Sequence, residues 1–286
     1  MRHFETAACS VHRLSSGFRV SSCGIFKDSM STLTHLEPIP YIAFEHVSKS
    51  FGSLRVLDDV SFYVLPGETL CILGRSGVGK SVSLQHILGF LKPDSGKIWV
   101  DGEDITHFTE EQLQLVRRKV TMVFQSGALF DSLSVEENVA FPLRESGELL
   151  DEQIEQIVQG LLTMVGVTEL SGQLPSDLST GMRRSVAIAR ALAAQPQAIL
   201  YDEPTTMVDP LMAHLLANLM QKVKRQLKLT SIVVTHDTRF AEKLADRVLF
   251  LHEAKAQFFG TLEQMRQSAD PALLYFLEMD QAEVFI

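Results

Sequence analysis

The sharpest chemical signal in the chain is one continuous stretch, Gly74-Arg75-Ser76-Gly77-Val78-Gly79-Lys80-Ser81. It matches the Gly-x-x-x-x-Gly-Lys-Ser pattern of a phosphate-cradling loop in full. Its glycines let successive backbone N–H groups turn onto one oxyanion. Lys80 supplies a compact positive charge for β- and γ-phosphates, and Ser81 offers a hydroxyl to Mg²⁺. A second signal lies far downstream, where the apolar run Ala198-Ile199-Leu200-Tyr201 ends in Asp202-Glu203. Two carboxylates at the end of a buried strand are costly to place without a use. Asp202 fits a Mg²⁺-holding acid, and Glu203 is then placed to act on an attacking water as general base.

These groups need a scaffold that brings them together. Residues 69–73 form a short apolar run before the glycine loop, which predicts a buried strand. The loop opens a helix over 80–91, and a helix N-terminus adds a favourable field for phosphate. Further strands are predicted at 41–47, 56–65, 97–100, 120–124, 198–201, 230–235 and 247–251. Helices are predicted at 110–118, 181–194, 211–227 and 239–245. Residues 135–175 contain no strand-like run. Within them, Asp151–Val165 sets Ile154, Ile157, Val158, Leu161, Leu162 and Val165 on one apolar face. This reads as a helical insertion in an α/β domain. Strands alternating with helices argue for a mostly parallel, twisted sheet covered on both faces.

Composition narrows the function classes. With 26 Lys and Arg against 35 Asp and Glu, the net charge is −9, a poor match for nucleic acid. Cys9, Cys23 and Cys71 are too few and too scattered for a disulfide framework or zinc knuckle, and imply a reducing compartment. No stretch of 18 apolar residues is present to span a membrane. Residues 1–29 carry Arg2, Arg13, Arg19 and Lys27 against Glu5 and Asp28, are rich in Ser, and lack the apolar centre of a signal peptide. Residues 1–40 read as an extension ahead of the domain. It is a disordered tail, a leader, or a start upstream of a true first residue at Met30.

In order and spacing, the remaining motifs resemble those of the nucleotide-binding subunits of ATP-binding cassette transporters, over about residues 41–262. Gln125, at a strand end in Val123-Phe124-Gln125, is similar to the family's Q-loop glutamine. The resemblance gives it contacts to Mg²⁺ and water and a role in coupling to the membrane subunit. Leu178-Ser179-Thr180-Gly181-Met182 occupies the place of the signature loop. Asp209 fits the D-loop, His236 the switch histidine that contacts the γ-phosphate, and Phe51 the aromatic that stacks on adenine. The implied fold is a P-loop NTPase with a mostly parallel core sheet, an antiparallel β subdomain, and an inserted helical subdomain at about 126–180. The implied cofactors are ATP and Mg²⁺, and the implied activity is ATP hydrolysis coupled to transport.

The family also implies a head-to-tail dimer, in which the signature loop of one copy closes on ATP held by the other. Ser179 and Gly181 suit this, since they begin a helix whose first N–H groups are free for a phosphate. Thr180 stands where the family usually has glycine, and is tolerable if its φ is negative. Met182 replaces the commoner glutamine and reads as a packing change. Arg183 and Arg184, in the same first turns, read as surface charge.

Two further stretches, 124–135 and 137–144, look like those of the Mla/Mce lipid-transport ATPases. That branch implies a separate permease pair, a Mce-type lipid-binding protein, and a peripheral place on the cytoplasmic face of the inner membrane. Amino-acid importer, lipoprotein-release and cell-division ATPases share most of the pattern. A soluble regulatory cassette is a reading of a different class, disfavoured by the single cassette and the acidic charge. Residues 263–286 read as a helical tail beyond the catalytic fold. Its apolar side chains either fold back on their own domain or pack across a dimer.

Overall fold

The computed structural model describes residues 39–282. The expectations for the N-terminal extension, and for the tail beyond residue 282, lie outside the described residues. In chain order the elements are β1 (Ile42–Phe51), β2 (Leu54–Val64), β3 (Thr69–Leu73), α1 (Lys80–Ile87), β4 (Ser95–Val100), β5 (Glu103–Asp104), α2 (Glu110–Lys119) and β6 (Val120–Val123). Then follow α3 (Val135–Ser146), α4 (Asp151–Val165), two 3₁₀ turns, α5 (Thr180–Ala193), β7 (Ala198–Asp202) and α6 (Pro210–Leu227). The chain continues through β8 (Thr230–Thr235), α7 (Thr238–Leu244), β9 (Arg247–His252), β10 (Lys255–Thr261), α8 (Leu262–Arg266) and α9 (Pro271–Ala282).

Two sheets result. The smaller is antiparallel, in the order β2-β1-β4-β5. The larger runs β10-β9-β3-β8-β7-β6 and is parallel except at the β9–β10 edge. The strands β3, β7 and β8 are almost continuously buried because both of their faces are covered. Alternation along each strand divides the interior in two. Cys71, Leu73, Ile199, Tyr201 and Val233 face the core shared with α3 to α7. Leu70, Ile72, Leu200, Ile232 and Val234 face the core shared with α1 and the antiparallel sheet.

Several boundaries differ from the sequence reading. The first helix stops at Ile87, because Leu88 caps it and Gly89 follows at φ 68°. The inserted region holds a second helix, α3, with a capping box between Ser134 and Glu137 and Pro142 inside it. Two elements were not anticipated, the short β5 and the edge strand β10, and the region read as one helical tail holds two helices, α8 and α9. The tail helix α9 folds onto its own domain, with Leu273 fully buried and Phe276 joining the larger core.

Candidate functional site

Four strand ends share one edge of the large sheet. Leu73 lies opposite Thr235 on β8, Asp202 opposite Val234, and Val123 opposite Tyr201. The chain therefore leaves β3 into the glycine loop, β7 at Asp202 and Glu203, β8 at His236 and β6 toward Gln125, all on the same side. The carboxyl ends of parallel strands are where such sheets take ligands. A cleft of about 710 Å³ opens there, lined among others by Phe51, Arg75, Ser76, Gly77, Gly79, Lys80, Ser81, Gln125, Glu203 and His236.

The glycine loop is shaped by space as well as by torsion. Gly74 has φ 152°, and a Cβ there would lie 2.5 Å from the Leu251 carbonyl oxygen. Gly79, at φ 107° and N-cap of α1, would place a Cβ 2.6 Å from the Val56 carbonyl oxygen. Arg75, Ser76 and Gly77 are exposed at the loop's crown, whereas Val78 turns away to pack on the core beside the antiparallel sheet. The loop fits a polyphosphate, since it leaves backbone open on one side and holds a buried cation beneath.

That cation is Lys80. Its Nζ donates to the carbonyls of Gly74 at 2.8 Å and Arg75 at 3.0 Å, and pairs with Glu203 Oε1 at 3.1 Å. The other carboxylate oxygen, Glu203 Oε2, accepts from His236 Nδ1 at 2.8 Å. Burial pushes the Glu203 carboxyl up, but the His236 hydrogen bond and the Lys80 charge outweigh it and hold it below its ordinary value. The same hydrogen bond raises His236. Glu203 also sits at φ 45°, outside the comfortable range for a side chain with a Cβ. Such strain costs roughly 1–3 kcal/mol and gathers where a side chain must be aimed.

Ser81 Oγ donates to Asp202 Oδ1 at 2.7 Å. Burial raises the Asp202 carboxyl, with the Ser81 hydrogen bond opposing. One hydroxyl and one carboxylate, both hard oxygen donors, fit a magnesium ion that takes its other ligands from phosphate and water. Among the described residues no group of three or more His, Cys, Asp or Glu could hold a metal ion. Phe51 ends β1 at the cleft, 46% exposed, with Lys49 Nζ 5.7 Å from its ring centroid.

The remaining sequence candidates sit elsewhere. Leu178, Ser179, Thr180, Gly181, Met182 and Asp209 do not line the cleft. Ser179 is the N-cap of α5 and accepts from the Met182 N–H at 3.3 Å. Thr180 is not among the residues at positive φ. Met182 is 40% exposed, so within this chain it is not the packing residue the sequence suggested. Asp209 caps α6, accepting from the Met212 N–H at 3.0 Å.

Arg184 corrects a further expectation. It is 4% exposed rather than a surface charge, and donates to the carbonyls of Glu203 at 3.4 Å and of Thr206. It ties the start of α5 to the backbone that carries Glu203. A signal was present: Arg184, Ala187, Ile188 and Ala191 fall on one helical face, which is buried. Sequence reasoning also missed that α9 lines the cleft, through Ala272, Tyr275, Phe276, Met279 and Asp280.

Comparisons with known proteins agree with this geometry. The family model described as "ABC transporter" matches residues 57–206. The chain is 40% identical over 227 residues to the intermembrane phospholipid transport system ATP-binding protein MlaF of Haemophilus influenzae, covering 79% of this chain and 86% of that protein. It is 36% identical over 236 residues to the probable ribonucleotide transport ATP-binding protein mkl of Mycobacterium leprae, covering 82% of this chain and 68% of that one. Its fold matches the dimeric ATP-binding cassette MJ0796, solved in a post-hydrolysis state with ADP and Pi, at a TM-score of 0.71 and 30% identity, over 77% of this chain and 98% of the other.

Proposed function

This chain belongs to the ABC transporter family as an ATP-binding, ATP-hydrolysing subunit, and we propose that it powers the movement of phospholipid through a separate membrane permease. The observation that carries the catalytic part is the convergence of Lys80, Ser81, Asp202, Glu203 and His236 at the carboxyl ends of β3, β7 and β8.

Backbone N–H groups of residues 74–81 and the Lys80 ammonium bind the β- and γ-phosphates. Ser81 and Asp202 would hold Mg²⁺, with Gln125 at the cleft edge near it; the ion supplies charge neutralisation for the phosphoryl oxygens. Phosphate oxygens entering the loop give Lys80 a stronger acceptor set than the Glu203 carboxylate. Glu203, loosened from Lys80, takes the proton of the attacking water at a carboxylate oxygen. His236 keeps Glu203 aimed through Nδ1 and presents its other nitrogen to the γ-phosphate. Phe51 takes the adenine ring. Ser179 and Gly181 of a second copy complete the site from the far side, with Asp209 at the same junction.

The lipid part rests on the likeness to MlaF, a protein named for phospholipid transport. On this reading the chain works at the cytoplasmic face of the membrane, beside a permease pair and a Mce-type lipid-binding protein. No described helix is long and apolar enough to cross a membrane. The likeness to mkl, named for ribonucleotide transport, supports a second cargo reading. Affinity purification of the full chain from detergent-solubilised membranes decides between them. A co-purifying permease with bound phospholipid is the expected result. A permease without lipid, or ribosomes in place of a permease, would overturn it.

A further inference from the structure

Resting on the reading of Glu203 as general base, we propose that Arg184 is a positioning residue for the attacking-water step: its guanidinium bridges the carbonyls of Glu203 and Thr206 and so holds the turn that aims the Glu203 carboxylate. The starting point is a charge in an apolar place. Arg184 shares the buried face of α5 with Ala187, Ile188 and Ala191, and is itself 4% exposed. Burial there pulls its pKa below the ordinary value. An apolar side chain of similar length would fill the same space without the cost of taking a cation from water. The neighbouring Arg183 makes no such reach, since its guanidinium donates within α5, to the Thr180 hydroxyl at 3.3 Å.

Arg184 directs its donors to the backbone of one turn. Nη1 donates to the Glu203 carbonyl at 3.4 Å, and Nη2 donates to the Thr206 carbonyl. The same Glu203 carbonyl accepts from the Thr206 N–H at 3.3 Å, while the Glu203 N–H donates to the Val234 carbonyl on β8 at 2.9 Å. The backbone does not take this turn easily. Glu203 is at φ 45°, directly before Pro204, and Met207 is at φ 59°. Such conformations persist only where the surroundings over-determine them. A planar fork of fixed donors suits two carbonyls of one turn better than a flexible ammonium does.

The aim that this turn sets is a demanding one. Glu203 Oε1 meets Lys80 at 3.1 Å, and Oε2 meets His236 Nδ1 at 2.8 Å and the Thr206 hydroxyl at 3.5 Å. Both residues whose carbonyls Arg184 holds also line the cleft. A shift of about 1 Å in a reacting group can cost about 10²-fold in rate. Arg184 touches neither nucleotide nor water, so its effect reaches the reaction only through Glu203.

The test asks whether that is so. Mg-ATP titration and steady-state hydrolysis of the full chain would compare wild type, Arg184→Met, Arg184→Lys, Glu203→Gln and the double variant Arg184→Met with Glu203→Gln, each well below its melting temperature. Arg184→Met should lower kcat about 10- to 100-fold, with the Mg-ATP dissociation constant within about twofold of wild type. Arg184→Lys keeps the charge but cannot hold both carbonyls, and should lose less, at least about threefold in kcat. In the Glu203→Gln background, Arg184→Met should leave the residual rate unchanged, because the base it would aim is gone. Wild-type kcat in Arg184→Met would overturn the proposal; should that variant not fold, wild-type kcat in Arg184→Lys would do so. The same fractional loss with and without Glu203, or loss of ATP affinity in step with kcat, would also overturn it, since Arg184 would then only support the fold. Hydrolysis at the wild-type rate by Glu203→Gln alone would remove the general-base reading on which the proposal rests, and shows in that single variant without reference to Arg184.

Discussion

The two regions of the molecule that the family chemistry concerns are built on opposite terms. At the carboxyl edge of the large sheet, charged groups meet charged or polar partners inside one chain. Lys80 has Glu203 and two carbonyls, Ser81 has Asp202, and Glu203 has His236. At the start of α5, Ser179 and Met182 are exposed, and so is Met207 nearby at 92%. The first turn there carries N–H groups that have no place in the helix's own ladder. Burial explains the contrast. A charge withdrawn from water must be paired before any ligand arrives. An exposed helix start carries no such demand, and can wait for a surface from another copy.

If that division is right, damage at the two ends should differ in kind as well as size. The largest effect is expected from Glu203→Gln, which keeps the shape but removes the proton acceptor. Turnover should fall about 10²- to 10⁴-fold, with Mg-ATP binding retained in a filter or calorimetric assay. Hydrolysis near the wild-type rate would mean that another group activates the water. Lys80→Ala should come next, costing about 10²- to 10³-fold in turnover and also weakening ATP binding. It leaves Glu203 with His236 and the Thr206 hydroxyl. Retained ATP affinity in this variant would contradict the phosphate-binding role given to Lys80.

Ser179→Arg should sharpen the comparison. It places a bulky cation where a second copy would close, and touches nothing in the cleft. Expected are ATP affinity at the wild-type value for the isolated chain and turnover reduced at least about tenfold, or 1.4 kcal/mol of barrier. Reduced ATP affinity would mean the two ends are not separable. Thr180→Gly should be the mildest, changing turnover by less than about tenfold. Thr180 is the first helical residue of α5 and is not at positive φ, so its backbone N–H serves whichever side chain it carries. A larger effect than Ser179→Arg would contradict that.

The contrast also explains what could be read from the sequence. Gly74 to Ser81 and Asp202-Glu203 were legible because their residue types break the apolar runs they follow. The bounds of β3, α4 and β8 were legible because buried strands and amphipathic helices have clean periods. β10 was missed because Lys-Ala-Gln-Phe-Phe-Gly-Thr at a sheet edge has neither a continuous nor an alternating pattern. α3 lay in a region read as helical, but Pro142 obscured its extent, and the Ser134–Glu137 capping box was the available cue. Arg184 was misread as surface charge although it shares a helical face with Ala187, Ile188 and Ala191; only its carbonyl partners at Glu203 and Thr206 lay beyond the sequence. The apolar tail left two homes open. Its docking beside the cleft depends on contacts with Phe250 and Thr238 that only the folded chain brings near.

The division between a self-sufficient end and an incomplete one is tested most directly by sedimentation of Glu203→Gln with and without Mg-ATP, alone and combined with Ser179→Arg. The expected result is that ATP converts Glu203→Gln to a dimer, while the double variant binds ATP equally well and stays monomeric. A double variant that still dimerises on ATP, or one that no longer binds ATP, would contradict the division of labour between the two ends.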